Sequence, residues 1–330
     1  MAVVKMNKLY AAGFKSTRAE FLKELMALGF TEIDPIDITD LNLDRVTPET
    51  ASDEAAFYDN KATEAENALK AISKYGNTKA PLIVVRKPVK IEDFEADILN
   101  TEERAENTAA KINSIVAEIE KGQSEINRLR SLAAGLEPWK ELEIDLSVDG
   151  TKNTAFMLGT LPVKTDFDFL LKTLEETFPA TIVNSVSQDK QFRYIYAFSF
   201  RRDKDELLSL LRKHNFNLIG KSSSSGTPTE IIARCAEGEE KQKELIENSK
   251  NAIADLVSEK GIIESYHDSC VLKKDRLKIV SNMVGTGKVF YFEGWIPEAG
   301  SKKIEKLFEK YGYYCEIREP LEDEEPPVML

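Results

Sequence analysis

The spacing of apolar and polar positions changes along the chain, and each change marks an element. Residues 3–12, VVKMNKLYAA, read as a strand that Gly13 ends. Thr17 and Glu20 have the spacing of a capping box, in which a hydroxyl and a carboxylate satisfy free backbone N–H groups at a helix start. Phe21, Leu22, Leu25 and Leu28 give that helix an apolar face, and Gly29 stops it. TEIDPID, at 31–37, follows as a short strand, so the first unit is β-α-β. Thr47 is placed to cap a second helix, with Pro48 at its first position, where a missing N–H costs nothing. That helix runs to Tyr75–Gly76, with Phe57, Tyr58, Ala62, Ala65, Leu69 and Ile72 along one stripe. PLIVVRKPV, at 81–89, is an extended stretch between prolines.

Residues 91–136 carry a seven-residue repeat. One phase holds Ile91, Ile98, Ala105, Ile112, Ile119, Ile126 and Ala133; the other holds Phe94, Thr101, Thr108, Ile115, Gly122, Leu129 and Leu136. No position of either phase is charged, and charges fill the remaining faces. This is a coiled-coil seam, and a helix of this length would span about 70 Å. Gly122 is its weak point. A second, less regular pattern at 231–284 includes Leu256, Ile263 and Leu277, with Cys235 and Cys270 also in phase. Antiparallel pairing within the chain is the simplest arrangement. Pairing with a second copy is the rival.

Between the two heptad segments the order is strand, helix, strand, strand, helix, strand. The strands are TAFMLGTLP, TIVNSVS, FRYIYAFSF and FNLIG; the helices are DFDFLLKTLEETF and DKDELLSLLRKH. Thr165 with Asp168, and Asp203 with Glu206, are spaced as helix caps, and His214 closes the second helix. This is the ferredoxin-like βαββαβ order. After the second heptad segment, GKVFYFEGWIP, PEAGSKKIEKLFEKYG and YYCEIREP give another β-α-β that would complete the first. The expected class is therefore α+β, with two ferredoxin-like α/β lobes joined by a long antiparallel two-helix coiled coil. The expected divisions are a discontinuous base lobe (1–90 plus 286–320), a shaft (91–136 plus 229–285), a tip lobe (137–228) and an acidic linker (321–330).

Charge narrows the choice of partner. The net charge of −12 argues against a general nucleic-acid binder. Residues 151–225 hold 11 Lys/Arg against 8 Asp/Glu, so a mildly basic tip sits in an acidic frame and could steer an acidic partner. Arg201, Arg202 and Lys204 cluster at a strand-to-helix turn of the tip, and Lys302 and Lys303 lie on the last helix of the base lobe. These five are the candidate partner-binding residues. The opening residues lack the continuous apolar core of a signal peptide, and no apolar run reaches spanning length.

Catalytic chemistry finds little support. Three widely spaced cysteines form no CxxC and no disulfide framework, which points to a reducing compartment. With two histidines there is no metal-ligand spacing and no nucleophile–base constellation. GTGK at 285–288 is not a phosphate loop: Asn282 stands at the first glycine position and Val289 at the hydroxyl position. A glycine-rich turn is the simpler reading. No cofactor, metal or catalytic residue is expected.

VFYFEGWIPE, the helix after it and EIREPLEDEEPPVML resemble the cytoplasmic half of subunit a/I of V-type (A/V-type) rotary ATPases, as does the opening MAVVKMNKLYAAGFKSTRAEFLKELMALGFTEI. The most specific piece is Gly294-Trp295-Ile296-Pro297-Glu298 with the acidic Pro-Pro segment that follows. The resemblance implies a non-catalytic stator component on the cytoplasmic face of a membrane. It would bind peripheral-stalk E–G heterodimers, adjoin rotor-side and membrane subunits, and resist rotor torque during ATP-coupled ion transport. It also implies that EDEEPPVML leads toward a membrane domain absent from this sequence, so that this part is soluble. Two other readings compete. A coiled-coil ATPase arm would need the missing phosphate loop. A ferredoxin-like ligand-sensing or coiled-coil dimerisation module would form a dimer.

Overall fold

The computed structural model describes residues 4–36, 47–48, 51–76, 89, 91–220 and 224–327. The expected extended stretch at 81–88, part of the serine run at 222–228 and the apolar Val328-Met329-Leu330 lie outside the described residues. In chain order the elements are β1 (Met6–Phe14), α1 (Arg18–Leu28), β2 (Glu32–Asp34), β3 (Thr47–Pro48), α2 (Ser52–Tyr75) and α3 (Ile91–Leu136). Then come β4 (Thr154–Pro162), α4 (Phe167–Thr177), β5 (Ile182–Gln188), β6 (Phe192–Phe200), α5 (Lys204–Lys213), β7 (Asn217–Ile219) and α6 (Pro228–Ala254). The last are α7 (Lys260–Ser281), β8 (Val284–Gly285), β9 (Val289–Pro297), α8 (Ser301–Tyr311) and β10 (Tyr314–Arg318). The fold is mixed helix and sheet, with two antiparallel sheets and one helix of 46 residues. It divides into two compact units, one of residues 1–115 with 251–330 and the other of residues 116–250.

In the first unit the sheet runs β10-β1-β9-β8-β3, with β2 also paired to β9. Alternation sends Leu9, Ala11, Phe290, Phe292 and Ile296 to one face, where they pack with Phe21, Leu25, Ile304 and Phe308 of α1 and α8. Phe21 is the hub, with ring centroids of Phe308 at 5.0 Å and Tyr313 at 4.9 Å. Gly29 ends α1 in the left-handed conformation, φ 73°, as its sequence position predicts. The expected capping box does not form. A 3-10 turn at Lys15–Thr17 precedes α1, and the Thr17 hydroxyl instead lies 2.6 Å from the Tyr313 hydroxyl. Thr47 and Pro48 do not open a helix either: they pair with β8, and α2 starts at Ser52.

α2 lies along α7 through Ala62, Ala65, Ala68 and Ala71, all buried; small side chains let the helices approach closely. It also meets α3, through Lys61–Glu106 at 2.7 Å and the Asn113 amide donating to the Glu64 carbonyl at 2.9 Å. α3 meets α7 through Lys273–Glu102 at 2.6 Å. Three helices therefore pack here, where the heptads of 91–136 and 231–284 suggested two. Tyr58, Ala62, Ala65, Leu69 and Ile72 of α2 are themselves at heptad spacing, over a helix of 24 residues against the 46 of α3.

In the second unit the sheet runs β5-β6-β4-β7. One face packs Met157, Leu161, Ile195 and Ala197 against Leu170, Leu174, Leu207 and Leu211 of α4 and α5. The other packs Phe156, Tyr194, Tyr196 and Phe198 against Trp139, Leu142, Leu146, Ile231 and Cys235. The N-cap of α4 is Asp166, whose carboxylate accepts from the Phe169 amide at 3.0 Å, not the expected Thr165. Asp203 makes no side-chain cap to α5, because a 3-10 turn at Arg201–Asp203 leads in. His214 does close α5.

Within this unit α3 and α6 run antiparallel, since Arg130 pairs with Glu239 and Gly122 faces Ile246. Ile119 and Ile126 are buried. On α6 the buried positions step from Cys235 to Ile246, eleven residues, while Leu245 is 49% exposed. That step is one of an eleven-residue repeat rather than of heptads, so Ile246 and not Leu245 is the buried position.

Candidate partner interface

The second face of the first unit's sheet is polar and holds the Gly294-Trp295-Pro297 motif. Alternation along β9 leaves Tyr291, Glu293 and Trp295 on this face, and Lys8 and Tyr10 of β1 sit directly opposite Trp295 and Glu293. Lys8 is only 8% exposed and Trp295 4%. The Lys8 ammonium lies 4.6 Å from the Trp295 ring centroid, 2.6 Å from Asp34 and 3.9 Å from Glu293. A buried ammonium is tolerated only with such carboxylate partners. Gly294 admits β2, because a Cβ there would stand 2.1 Å from the Glu32 carbonyl oxygen. Pro297 closes β9 in an extended conformation and leads through a 3-10 turn into α8. The motif residues thus position strands.

Arg318 closes this face with a clasp absent from the sequence expectations. Its guanidinium donates to both Glu324 carboxylate oxygens, at 2.5 and 2.7 Å, and to the Tyr10 hydroxyl at 2.5 Å. Glu324 also accepts from the Leu321 amide at 2.8 Å. The Arg318 bond, followed by the Leu321 amide, holds the Glu324 carboxyl at about 2, well below the usual carboxylate range. The first residues of the expected acidic linker are therefore fastened to the sheet. The available signal was Lys8 and Tyr10, which alternate with the apolar residues of β1 and mark its second face as polar.

The five candidate cations fall into two groups in separate units. Arg201 donates from Nε and Nη2 to the Thr151 carbonyl, at 3.1 and 2.8 Å, and fastens the end of β6 to the preceding loop. Its side chain stays 44% exposed and lies 3.9 Å from Asp149. Arg202 faces outward, stacked 5.1 Å over the ring of Phe200, which is itself exposed. Its pairing is with the adjacent Asp203 at 3.4 Å. Lys204, half-buried, opens α5. In the first unit Lys302 and Lys303 are exposed on α8, while Ile304, Leu307 and Phe308 turn inward.

The seam candidates divide by burial. Ile98, Ile112, Ile119, Ile126 and Ile263 are buried, and Leu277 is half-buried. Leu256 is not on a continuous helix, because α6 ends at Ala254 and a 3-10 turn at Val257–Glu259 precedes α7. Cys235 and Cys270 are buried, and burial pushes the Cys270 thiol up. GTGK forms a turn from β8 to β9, with the Thr286 amide donating to the Val289 carbonyl at 2.8 Å. Among the described residues no group of three His, Cys, Asp or Glu side chains is placed to hold a metal ion. No helix among them is long and apolar enough to cross a membrane.

The chain is 24% identical over 258 residues, 74% of its length, to the A-type ATP synthase subunit I of Methanothermobacter thermautotrophicus. It is 27% identical over 172 residues, 49% of its length, to the A-type ATP synthase subunit I of Pyrococcus abyssi. It spans 39% and 25% of the length of those two relatives. A crystal structure of the cytoplasmic N-terminal domain of subunit I, homolog of subunit a, of V-ATPase aligns with 94% of this chain and 99% of its own, at 17% identity and a TM-score of 0.49. No protein-family model matches the chain. Both curated relatives carry the name of the subunit that the GWIPE and acidic Pro-Pro motifs resemble.

Proposed function

We propose that this chain is the cytoplasmic, stator part of subunit I of an A/V-type ATP synthase or ATPase. The observation that carries this reading is the similarity to subunit I over 74% of the chain. In this reading the strand orders β10-β1-β9-β2 and β7-β4-β6-β5 make two ferredoxin-like lobes, and α2, α3, α6 and α7 supply the coiled-coil connection. The part is non-catalytic and uses no cofactor. It works on the cytoplasmic face of the membrane, where it holds peripheral-stalk E–G heterodimers and ties them to the membrane subunit that conducts the ion, a proton or another cation. Rotor torque is then resisted during ATP-coupled transport.

The outward Arg202–Phe200 pair and the Lys302–Lys303 pair are the surfaces offered to the stalks. A cation beside an exposed aromatic ring suits an acidic helical partner. Ile112, Ile119 and Ile126 of the α3 seam are buried within the chain, which favours pairing inside the chain over dimerisation through these residues.

The test is calorimetric titration with a purified E–G heterodimer at two salt concentrations. Saturable binding that weakens with salt, and that Arg202→Glu diminishes, is the expected result. No binding, combined with a dimer in light scattering, would replace the stator reading with the dimerisation module.

A further inference from the structure

In the second unit α3 and α6 form an open groove of about 660 Å³. Its α6 wall is uncharged and consists of Gln242, Leu245, Ile246 and Ser249. Leu245 stands 49% exposed in it. Gly122 contributes no side chain to the floor, and a Cβ there would meet Ile246 at 3.0 Å. All the charge comes from α3. Glu118, Lys121, Glu125 and Arg128 line the groove at steps of three, four and three residues, so they form one stripe along the helix. The stripe alternates acid, base, acid, base. Arg128 is paired with Glu125 at 2.7 Å, whereas Glu118 and Lys121 make no ion pair among the described residues.

Reversed, this order is its own complement. Turned end for end about Gln123, the midpoint of both pairs, Glu118 meets Arg128 and Lys121 meets Glu125. A two-fold axis performs that reversal, and an isologous contact needs such self-complementarity. We propose that a second copy of this chain docks in the groove, with the two α3 helices antiparallel. Each α3 then lies against the α3 and the α6 of the other copy, and both Leu245 side chains are covered. Each kind of ion pair forms twice, as the symmetry requires. The uncharged α6 wall sets no like charge against the incoming stripe. A foreign helix would need a matching stripe, which a second copy already carries. The contact spans about three turns of each α3, so the dimer is weak and reversible. This proposal goes beyond the stator reading and does not rest on it: a dimer that still binds the E–G heterodimer leaves that reading standing.

The test is sedimentation equilibrium of the whole chain from about 5 to about 500 µM. The salt is held at about 0.15 M, which screens the long-range repulsion between two chains of net charge −12. A monomer–dimer equilibrium is expected within that range. Lys121→Glu sets like charges opposite each other and should weaken association about tenfold. Adding Glu125→Lys to it restores opposite signs and should recover the parent constant. Leu245→Ser removes the apolar contact and should also weaken association about tenfold. Lys121 and Leu245 are exposed and Glu125 is half-buried, so the fold should be kept, and far-UV circular dichroism of each variant checks that. The proposal is overturned if the chain stays monomeric at about 500 µM. It is also overturned if Lys121→Glu and Leu245→Ser dimerise like the parent, or if the double variant associates no better than Lys121→Glu. A monomeric parent whose E–G binding is lost on Lys121→Glu would overturn it too, and would give the groove to a stalk helix.

Discussion

Gly294→Ala isolates what the motif does for the first unit. A methyl group at this position would sit 2.1 Å from the Glu32 carbonyl oxygen and 3.1 Å from its carbon. Ordinary contact begins near 3.4 Å, so β2 must retreat by roughly 1 Å, which a close-packed sheet cannot absorb elsewhere. The retreat breaks the pairing of Glu32, Ile33 and Asp34 with β9 and draws Asp34 away from Lys8. Two ladder hydrogen bonds contribute about 1 kcal/mol each, and the partly stranded Lys8 ammonium adds about 1–2 kcal/mol. The expected loss is about 3–4 kcal/mol. The chain has two tryptophans, Trp139 in the second unit and Trp295 in the first, so urea unfolding followed by fluorescence in a Trp139→Phe background reports the first unit. Gly261→Ala is the control, because a Cβ there meets nothing within 4 Å. Helix propensity alone should then stabilise α7 by up to about 1 kcal/mol. A Gly294→Ala midpoint equivalent to less than about 0.5 kcal/mol would refute the steric argument.

Other consequences follow from burial and charge. Ile112→Asp, at a fully buried position, should lower first-unit stability by about 3–5 kcal/mol. Leu99→Asp, on the same helix at 78% exposure, should change it by less than about 0.5 kcal/mol, and equal effects on Trp295 unfolding would contradict the seam. The Glu324 carboxyl is depressed to about 2, so its contribution to the clasp is complete above the ordinary carboxylate pKa and is lost as pH falls toward 2. Carbon-detected NMR should show Glu324 titrating near 2, and a midpoint near 4 would mean that the clasp does not form in solution. Arg201→Ala should destabilise the second unit by about 1 kcal/mol, read through Trp139, because the Thr151 carbonyl loses its donor. Arg202→Ala should leave that unfolding unchanged and reduce stalk affinity, and the opposite pattern would reverse the roles given to the two arginines.

Long periodic segments were legible, and residues whose role depends on another strand were not. The repeat from Ile98 to Ile126 survives because each of those side chains is read from its own helix, and burial followed. The succession of strands and helices was legible for the same reason between 154 and 219 and again between 289 and 318, whereas the two-residue strands β3 and β8 carry no such pattern. The α4 cap was misread by one residue, Thr165 for Asp166, whereas Thr17 and Asp203 do stand at the N-cap positions but end 3-10 turns and make no side-chain cap bond. The apolar stripe of α2 from Tyr58 to Ile72 has heptad spacing as well, but nothing in it names the helices it meets. Arg201 and Arg202 are adjacent and alike in sequence. Which of them is engaged by the chain's own backbone is decided by the Thr151 carbonyl, fifty residues earlier.

Each sheet packs one face on an apolar core with helices, but their second faces obey different physics. In the second unit that face is covered by Trp139, Leu142, Leu146 and Ile231, so it is held by apolar burial, which salt and mild acid hardly alter. In the first unit Lys8, Arg318 and Tyr10 meet Asp34, Glu293 and Glu324, and the cover is ionic. Each of those pairs is incompletely buried, so protonation of Glu324 or high salt weakens the cover while the Phe21 core on the opposite face stays intact. The segment after β10 is thus held by the part of the unit that can release without unfolding. Raising salt or lowering pH should free residues 319–327 before Trp295 fluorescence reports loss of the sheet. Limited proteolysis within that segment, followed across the same titration, would separate the two events. A single coincident transition would show instead that the clasp and the core are one cooperative structure.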